Sequence, residues 1–465
     1  MSEQEVTRRE FLARAGAAGV GLMALGAAPL LAEEKKRPNI VFIVSDDHRW
    51  DVMSCMGHPF MKTPNMDRLA KEGARFANAF VTTSLCSPSR ACFLTSKYVH
   101  NHGIANNSTP FPTATQTTFP QLLKKSGYET AFVGKWHMDG QIDVQPGFDR
   151  WVSFKAHGRY IDPVFIIDGK PTPQTGHMTD LLTKYAVDWL KQEHKSPFLL
   201  YLAHKAPHAK PTPEQRNANL YADAKIEPPA NSADPLVGKP EWQRKWPSIA
   251  RNAVLQSGRK EYEDAVRDYC RTVNGIDDSI GQVLDTLKVT GKLDNTIVIY
   301  CSDNGFYLGD HGLWDKRSAY DESLRIPFLV RFPGVVKPGR VIDQMALNID
   351  LAPTLLDLAG ASIPSDMQGR SMRSLLEGKA TPWRKDFLYE YFEEKPYPET
   401  PSVVAVRTPD WKYVEYPQDI PELYDLKNDP TEMKNLAADA KYADRLKDMR
   451  QRLARLKKET GYKEG

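Results

Sequence analysis

Four short runs of apolar, β-forming residues, each ending in chemically capable polar side chains, constrain this chain more than any other feature. Residues 39–44 (NIVFIV) run into Ser45, Asp46, Asp47 and His48, and residues 130–133 lead to Gly134, Lys135, Trp136 and His137. Residues 197–202 lead to His204 and His208, and residues 296–300 to Ser302, Asp303, Asn304 and Gly305. Apolar runs without strict alternation suit strands covered on both faces, as in a parallel sheet. Between positions 262 and 287, Val266, Tyr269, Val273, Ile276, Ile280 and Leu284 recur every three or four residues, the spacing of one buried helix face. The alternation predicts an α/β fold: a large, mostly parallel sheet flanked by helices, with ligands outside the carboxyl ends of its strands. All four polar clusters fall at that edge.

Composition removes several alternatives. A mean hydropathy of −0.51 excludes a polytopic membrane protein. A net charge of +3 gives no general reason for nucleic-acid binding, so any anion preference belongs to a local site. Five cysteines in 465 residues are too few for a disulfide scaffold, and pairing among the four other than Cys86 cannot be read from spacing. The first 32 residues stand apart from the fold. Arg8-Arg9 precede an uncharged stretch at 15–32 that carries Gly16, Gly19, Gly21 and Gly26, a pattern that resembles a twin-arginine export signal. The alternative is an uncleaved anchor, but glycines and a proline make a poor spanning helix. The expectation is a bacterial protein carried by the export machinery to the periplasm or beyond, with no permanent membrane span. Such a route carries folded chains, so a metal or modification can be installed first.

The mature chain divides into a catalytic domain at 33–375 and an α+β subdomain at 376–465. In the latter, short aromatic strands near 387–389, 403–406 and 411–414 predict a small antiparallel sheet closed by a helix at 437–458. Residues 209–260 hold seven prolines and little periodicity, so they read as an irregular insertion that leaves the sheet after His208 and forms a pocket wall.

Three groups carry chemistry. Cys86-Ser87-Pro88-Ser89-Arg90 is the most specific short motif; by itself it also suits a helix-start loop with a buried cysteine. Asp46, Asp47, Asp303 and Asn304 offer four oxygen donors, which suit a hard divalent cation better than zinc or copper. Arg90, Lys135, His137, His208 and Lys316 supply cationic and proton-carrying groups, as transfer of a charged ester requires.

The Cys86 pentapeptide resembles the signature by which the sulfatase family marks a cysteine for oxidation to formylglycine. Its continuation to Tyr98 is similar as well, departing at Ser96, where the family commonly has glycine. Segments around Lys135, His208 and Lys316, the block from Ser302 to Pro327, and Glu422-Leu423-Tyr424-Asp425-Leu426 extend the resemblance over most of the chain. The resemblance implies an alkaline-phosphatase-like fold and hydrolysis of a sulfate ester. It implies one Ca²⁺ held by Asp46, Asp47, Asp303, Asn304 and the modified Cys86, and a partner formylglycine-generating enzyme. Formylglycine hydrate would attack sulfur with Asp303 assisting. Lys135, Lys316 and Arg90 would hold the sulfuryl group, His208 would protonate the leaving alcohol, and His137 would help expel sulfate. The substrate expected is a sulfated glycan, with Asp315-Lys316-Arg317 and the 101–107 segment resembling sulfatases of N-acetylglucosamine 6-sulfate. The alternatives are a phosphodiesterase or phosphonate monoester hydrolase on the same scaffold, and a non-catalytic binder of sulfated glycans. No chemical role is assigned to His48, His100, His102, His204 or His311.

Overall fold

The computed structural model describes residues 36–138, 143–245 and 258–462. The stretch at 1–32, where an export signal is expected, lies outside the described residues. Positions 38–465 form one compact unit. Its main sheet contains, in chain order, β1 (Asn39–Asp46), β2 (Ala74–Phe76), β3 (Glu129–Gly134), β4 (Arg150–Ser153), β5 (Val164–Ile167), β6 (Lys170–Pro173), β7 (Phe198–Pro207), β8 (Thr296–Ser302), β9 (Phe328–Arg331) and β10 (Arg340–Ile342). Their spatial order is β10-β2-β9-β8-β1-β7-β3-β4-β5-β6. The five central strands β8, β1, β7, β3 and β4 run parallel. The antiparallel pairings lie on the flanks. The sheet is therefore mixed but mostly parallel, and the four strands expected from the apolar runs are its adjacent centre.

Burial explains why these runs lack alternation. Residues Ile40, Val41, Phe42, Ile43 and Val44 are all inaccessible, alternate ones belonging to apolar clusters on opposite faces of the sheet. One face is covered by α1 (Cys86–Thr95), and Phe42 meets Phe93 and Tyr201 at ring separations of 5.6 and 4.6 Å. Truncating such a residue to alanine costs ~3–5 kcal/mol. The other face is covered by α2 (Met178–Leu190) and α3 (Arg259–Val289), whose residues Val266, Tyr269, Val273, Ile276, Ile280 and Leu284 are buried as their spacing requires. Gly134, which ends β3 at φ +130°, is needed because a Cβ there would sit 1.8 Å from the Ala203 carbonyl oxygen.

The described part of the insertion after β7 is irregular apart from a short 3₁₀ turn (Gln215–Asn217) and one helical turn (Trp242–Lys245). Strands β11 (Phe387–Tyr391), β12 (Val403–Arg407), β13 (Trp411–Glu415) and β14 (Glu422–Asp425) form the antiparallel C-terminal sheet. The closing helix α4 (Ala443–Thr460) packs Met449, Leu453 and Leu456 into a core shared with Phe80, Leu85 and Leu347 of the larger part. All five cysteines are free thiols. No described helix is long and apolar enough to cross a membrane.

Candidate active site

The carboxyl ends of β1 and β8 are adjacent, and their polar tails lock together. The Asp303 amide donates to the Ser45 carbonyl at 3.0 Å, and the Asp47 amide donates to Asp303 Oδ1 at 3.1 Å. Asp47 holds a left-handed backbone at φ 68°, which turns its side chain back beside Asp46. The strain is held from outside: Tyr269 of α3 donates to the Asp47 carbonyl at 2.5 Å and accepts from the Arg49 amide at 2.9 Å.

Oxygens of Asp46, Asp47 and Asp303 lie within 4.8 Å of one another, all buried. Each carboxylate has a cation on Oδ2. Lys135 donates to Asp46, Lys316 to Asp47 at 2.7 Å, and Arg90 Nε to Asp303 at 2.9 Å. The Oδ1 atoms accept from neutral groups: the Cys86 thiol on Asp46 at 3.3 Å, the Asn304 amide on Asp47 at 2.6 Å, and a backbone N–H on Asp303. Among the described residues, Asn304 Oδ1 is buried with no hydrogen-bond partner. Such an orphan costs about 1–3 kcal/mol unless something accepts its lone pairs.

Crowding splits the acids. Burial disfavours charge on Asp46, but Lys135, Arg90 and Lys316 outweigh it and hold the carboxyl well below the usual range. Burial and the neighbouring Asp46 push Asp303 up to about 7. Burial also raises Asp47, against the pull of Lys316. A divalent cation would relieve both the repulsion and the Asn304 orphan, so these residues fit a hard cation such as Ca²⁺.

Cys86 opens α1, and Arg90 lies one turn on, so both face the cluster. Burial and the Asp46 carboxylate push the Cys86 thiol far above its ordinary pKa, so it is no thiolate at neutral pH. His208 Nε2 lies 3.8 Å from Asp47 Oδ2, and its Nδ1 donates to the Ala209 carbonyl at 2.8 Å. His137 Nδ1 lies 3.4 Å from the Ser87 hydroxyl. Burial keeps both rings neutral, with Lys135 adding to the effect at His137. The structure thus gathers Asp46, Asp47, Cys86, Arg90, Lys135, His137, His208, Asp303, Asn304 and Lys316 at one edge.

Two members escaped the sequence reading. His157, in the loop after β4, places Nδ1 3.2 Å from Lys135 Nζ. Lys205 lies 4.8 Å over the Tyr160 ring, with a pKa lowered to about 8 by burial and by Lys135. A lysine interrupting a buried parallel strand was the available signal for Lys205; no motif marks His157. The five histidines left without a role have packing partners: His48 meets Tyr300 Oη and the Val52 carbonyl, and His100 meets Glu390. His102 meets Cys92, His204 meets Ser279, and His311 meets Asp234.

A hard-oxygen pocket ringed by buried cations, at the carboxyl edge of a mostly parallel sheet, defines the hydrolase class expected for charged esters. Residues 38–361 match the Sulfatase family model, and residues 309–459 match that for the N-sulphoglucosamine sulphohydrolase C-terminal region. The chain belongs to the sulfatase family and is a hydrolase of that family. N-acetylglucosamine-6-O-sulfatase of Bacteroides thetaiotaomicron is 36% identical, over 92% of this chain and 87% of the relative. The Homo sapiens N-acetylglucosamine-6-sulfatase is 31% identical, over 78% of this chain and 68% of its own length. A solved complex with its substrate D-glucosamine-2-N,6-O-disulfate superposes with a TM-score of 0.85 at 35% identity, covering 92% of this chain and 98% of that one.

Proposed function

We propose that this chain is an exported sulfatase that removes sulfate from a sulfated glycan, with N-acetylglucosamine 6-sulfate units as the favoured substrate. The observation that carries the reading is Cys86 at the start of α1, its Sγ 3.3 Å from Asp46 Oδ1, beside three crowded acids and their three cations. The substrate class is supported by the relatives that act on 6-sulfated N-acetylglucosamine and by the complex holding a 6-O-sulfated glucosamine. The twin-arginine pattern at Arg8-Arg9 supports export.

Asp46, Asp47, Asp303 and Asn304 would hold Ca²⁺ together with formylglycine made from Cys86. When present, the ion supplies Lewis acidity and the hydrated formyl group supplies the attacking oxygen. The chain's own residues do the rest. Lys135, Lys316 and Arg90 are fixed by carboxylates before any ester binds, so their charge meets the sulfuryl oxygens with little reorganisation. At His208 the Ala209 carbonyl takes the Nδ1 proton, which leaves Nε2 as the atom that gains and gives one. Burial keeps that ring neutral while the cleft lacks an anion. The sulfate ester's charge raises its proton affinity as substrate arrives, which suits Nε2 to protonate a leaving alcohol. His137, neutral beside Ser87, receives a proton during sulfate release. Asp303, ionised when the cation is bound, accepts the proton of the attacking group.

The test uses protein expressed with a formylglycine-generating enzyme. Peptide mass spectrometry reads conversion of Cys86, and sulfate release is followed on N-acetylglucosamine 6-sulfate, galactose 6-sulfate and an aryl phosphate. Conversion with turnover of the first substrate is the expected result. Conversion with preferential phosphate release would replace the reading.

A further inference from the structure

The loop from Phe154 to Tyr160 touches the site in several places. His157 Nδ1 lies 3.2 Å from Lys135 Nζ. Its ring stacks on His208 at 4.3 Å and 28°, and meets His137 at 4.1 Å and 52°. Tyr160, three residues on, donates to the His208 carbonyl at 2.9 Å.

An ammonium group has three protons and no lone pair, so in this contact Nδ1 accepts. That fixes the tautomer: His157 is neutral and carries its proton on Nε2. Burial and Lys135 disfavour a proton on Nδ1 as well. Among the described residues, Lys135 gives one proton to Asp46 and one to His157, leaving the third for the cleft. A carboxylate in place of His157 would hold Lys135 equally well but cancel its charge, and a lysine or arginine would repel it. An imidazole orients the ammonium and leaves its charge intact. The same ring stands between His137 and His208 and sets their separation.

We infer that His157 is a positioning residue of this site, a neutral imidazole that aims Lys135 and spaces the two histidines beside it. The inference rests on the sulfatase reading and on the roles given to Lys135, His137 and His208.

The experiment compares wild type, His157→Ala and His157→Asn, each converted at Cys86 and loaded with Ca²⁺, on N-acetylglucosamine 6-sulfate. Displacing catalytic groups by about an ångström costs on the order of 10²-fold. His157→Ala is expected to lose kcat on that scale with KM little changed. His157→Asn, whose Oδ1 replaces Nδ1 as acceptor, is expected to recover most of it. In ¹⁵N-edited NMR of the wild type, one imidazole lost in His157→Ala should show a bare Nδ1 and a protonated Nε2. An active wild type whose alanine variant keeps kcat, an asparagine variant as impaired as alanine, or a protonated Nδ1 would each overturn the assignment. A converted wild type that releases no sulfate overturns the underlying reading and this role with it.

Discussion

Two clusters of buried charge lie in this protein, and they are wired in opposite ways. Where the insertion meets the C-terminal sheet, Lys412 lies between two acids, 2.7 Å from Asp321 Oδ1 and 2.8 and 2.9 Å from the oxygens of Glu432. Arg407 takes the other oxygen of Asp321 at 2.8 Å, and Lys239 caps the Glu432 carbonyl at 2.6 Å. Each carboxylate oxygen there touches a cation. At the site three carboxylates face one another, cations hold only the outer oxygens, and among the described residues Asn304 Oδ1 is left without a donor. The first arrangement is complete in the polypeptide alone. The second is arranged to receive something positive and, beside it, something negative.

The largest expected effect breaks the complete cluster. Lys412→Met leaves Asp321 and Glu432 without their shared cation, and losing one partner of a buried pair costs ~3–5 kcal/mol. Urea unfolding should show a fall of that size, while the folded fraction keeps its kcat. Next comes Lys316→Ala. Losing one preorganised donor to a transition-state charge costs ~2.7–4 kcal/mol, or about 10²–10³ in kcat. Its stability in Ca²⁺ should change far less than that of Lys412→Met, because a bound cation takes over the neutralisation of Asp47. Equal stability losses in the two variants, with kcat preserved in both, would erase the distinction.

Calcium and pH give the third test. At 100 times its Kd, a ligand of the folded state adds about 2.7 kcal/mol. The sign with pH follows from Asp303, raised to about 7 by burial and Asp46. Without metal, the folded state keeps a proton that the unfolded chain releases near pH 4. Stability of the chelated protein therefore falls as pH rises from about 4 to 7, relative to Asp303→Asn. Binding Ca²⁺ expels that proton, so the ion stabilises more at pH 7.5 than at pH 5. Thermal midpoints with and without chelator across this range check both statements.

How much of this was legible beforehand depended on length and burial. The strands at 39–44, 130–133, 197–202 and 296–300 announced themselves because burial on both faces forces unbroken apolar runs, and their polar tails mark the carboxyl edge. The flanking β2 and β10, three residues each, and the β5–β6 hairpin were not seen. Val164, Lys170, Pro171 and Pro173 are exposed there, and so few residues carry no period. The acids and cations of the site were found through motifs. His157 was missed because it follows only the short run Arg150–Ser153 on a loop whose path depends on Tyr160 and His208, contacts distant in sequence. The wiring that separates the two clusters was invisible too, since Lys412 and Lys316 look alike as letters.

The smallest effect concerns α1, with Cys86 at one end and Ser96 capping the other. Ser96 adopts φ 58°, ψ 32°, the left-handed conformation that makes glycine common at such a cap. A side chain there costs ~1–2 kcal/mol. The serine offsets this by donating to the Ile349 carbonyl at 2.7 Å and accepting from the Gly369 amide at 3.1 Å, bonds worth about 1 kcal/mol each. Ile349 in turn packs with Phe387 of the C-terminal sheet. Ser96→Gly exchanges strain for lost bonds and should shift stability by less than about 1 kcal/mol. Ser96→Ala keeps the strain and loses both bonds, so it should be the less stable of the two by about 1 kcal/mol in urea unfolding. Neither should alter kcat, because the Cys86 end is held separately by Asp46, Arg90 and Asp303. A kcat that tracked stability through both variants would mean that α1 carries a change at its Ser96 end to Cys86.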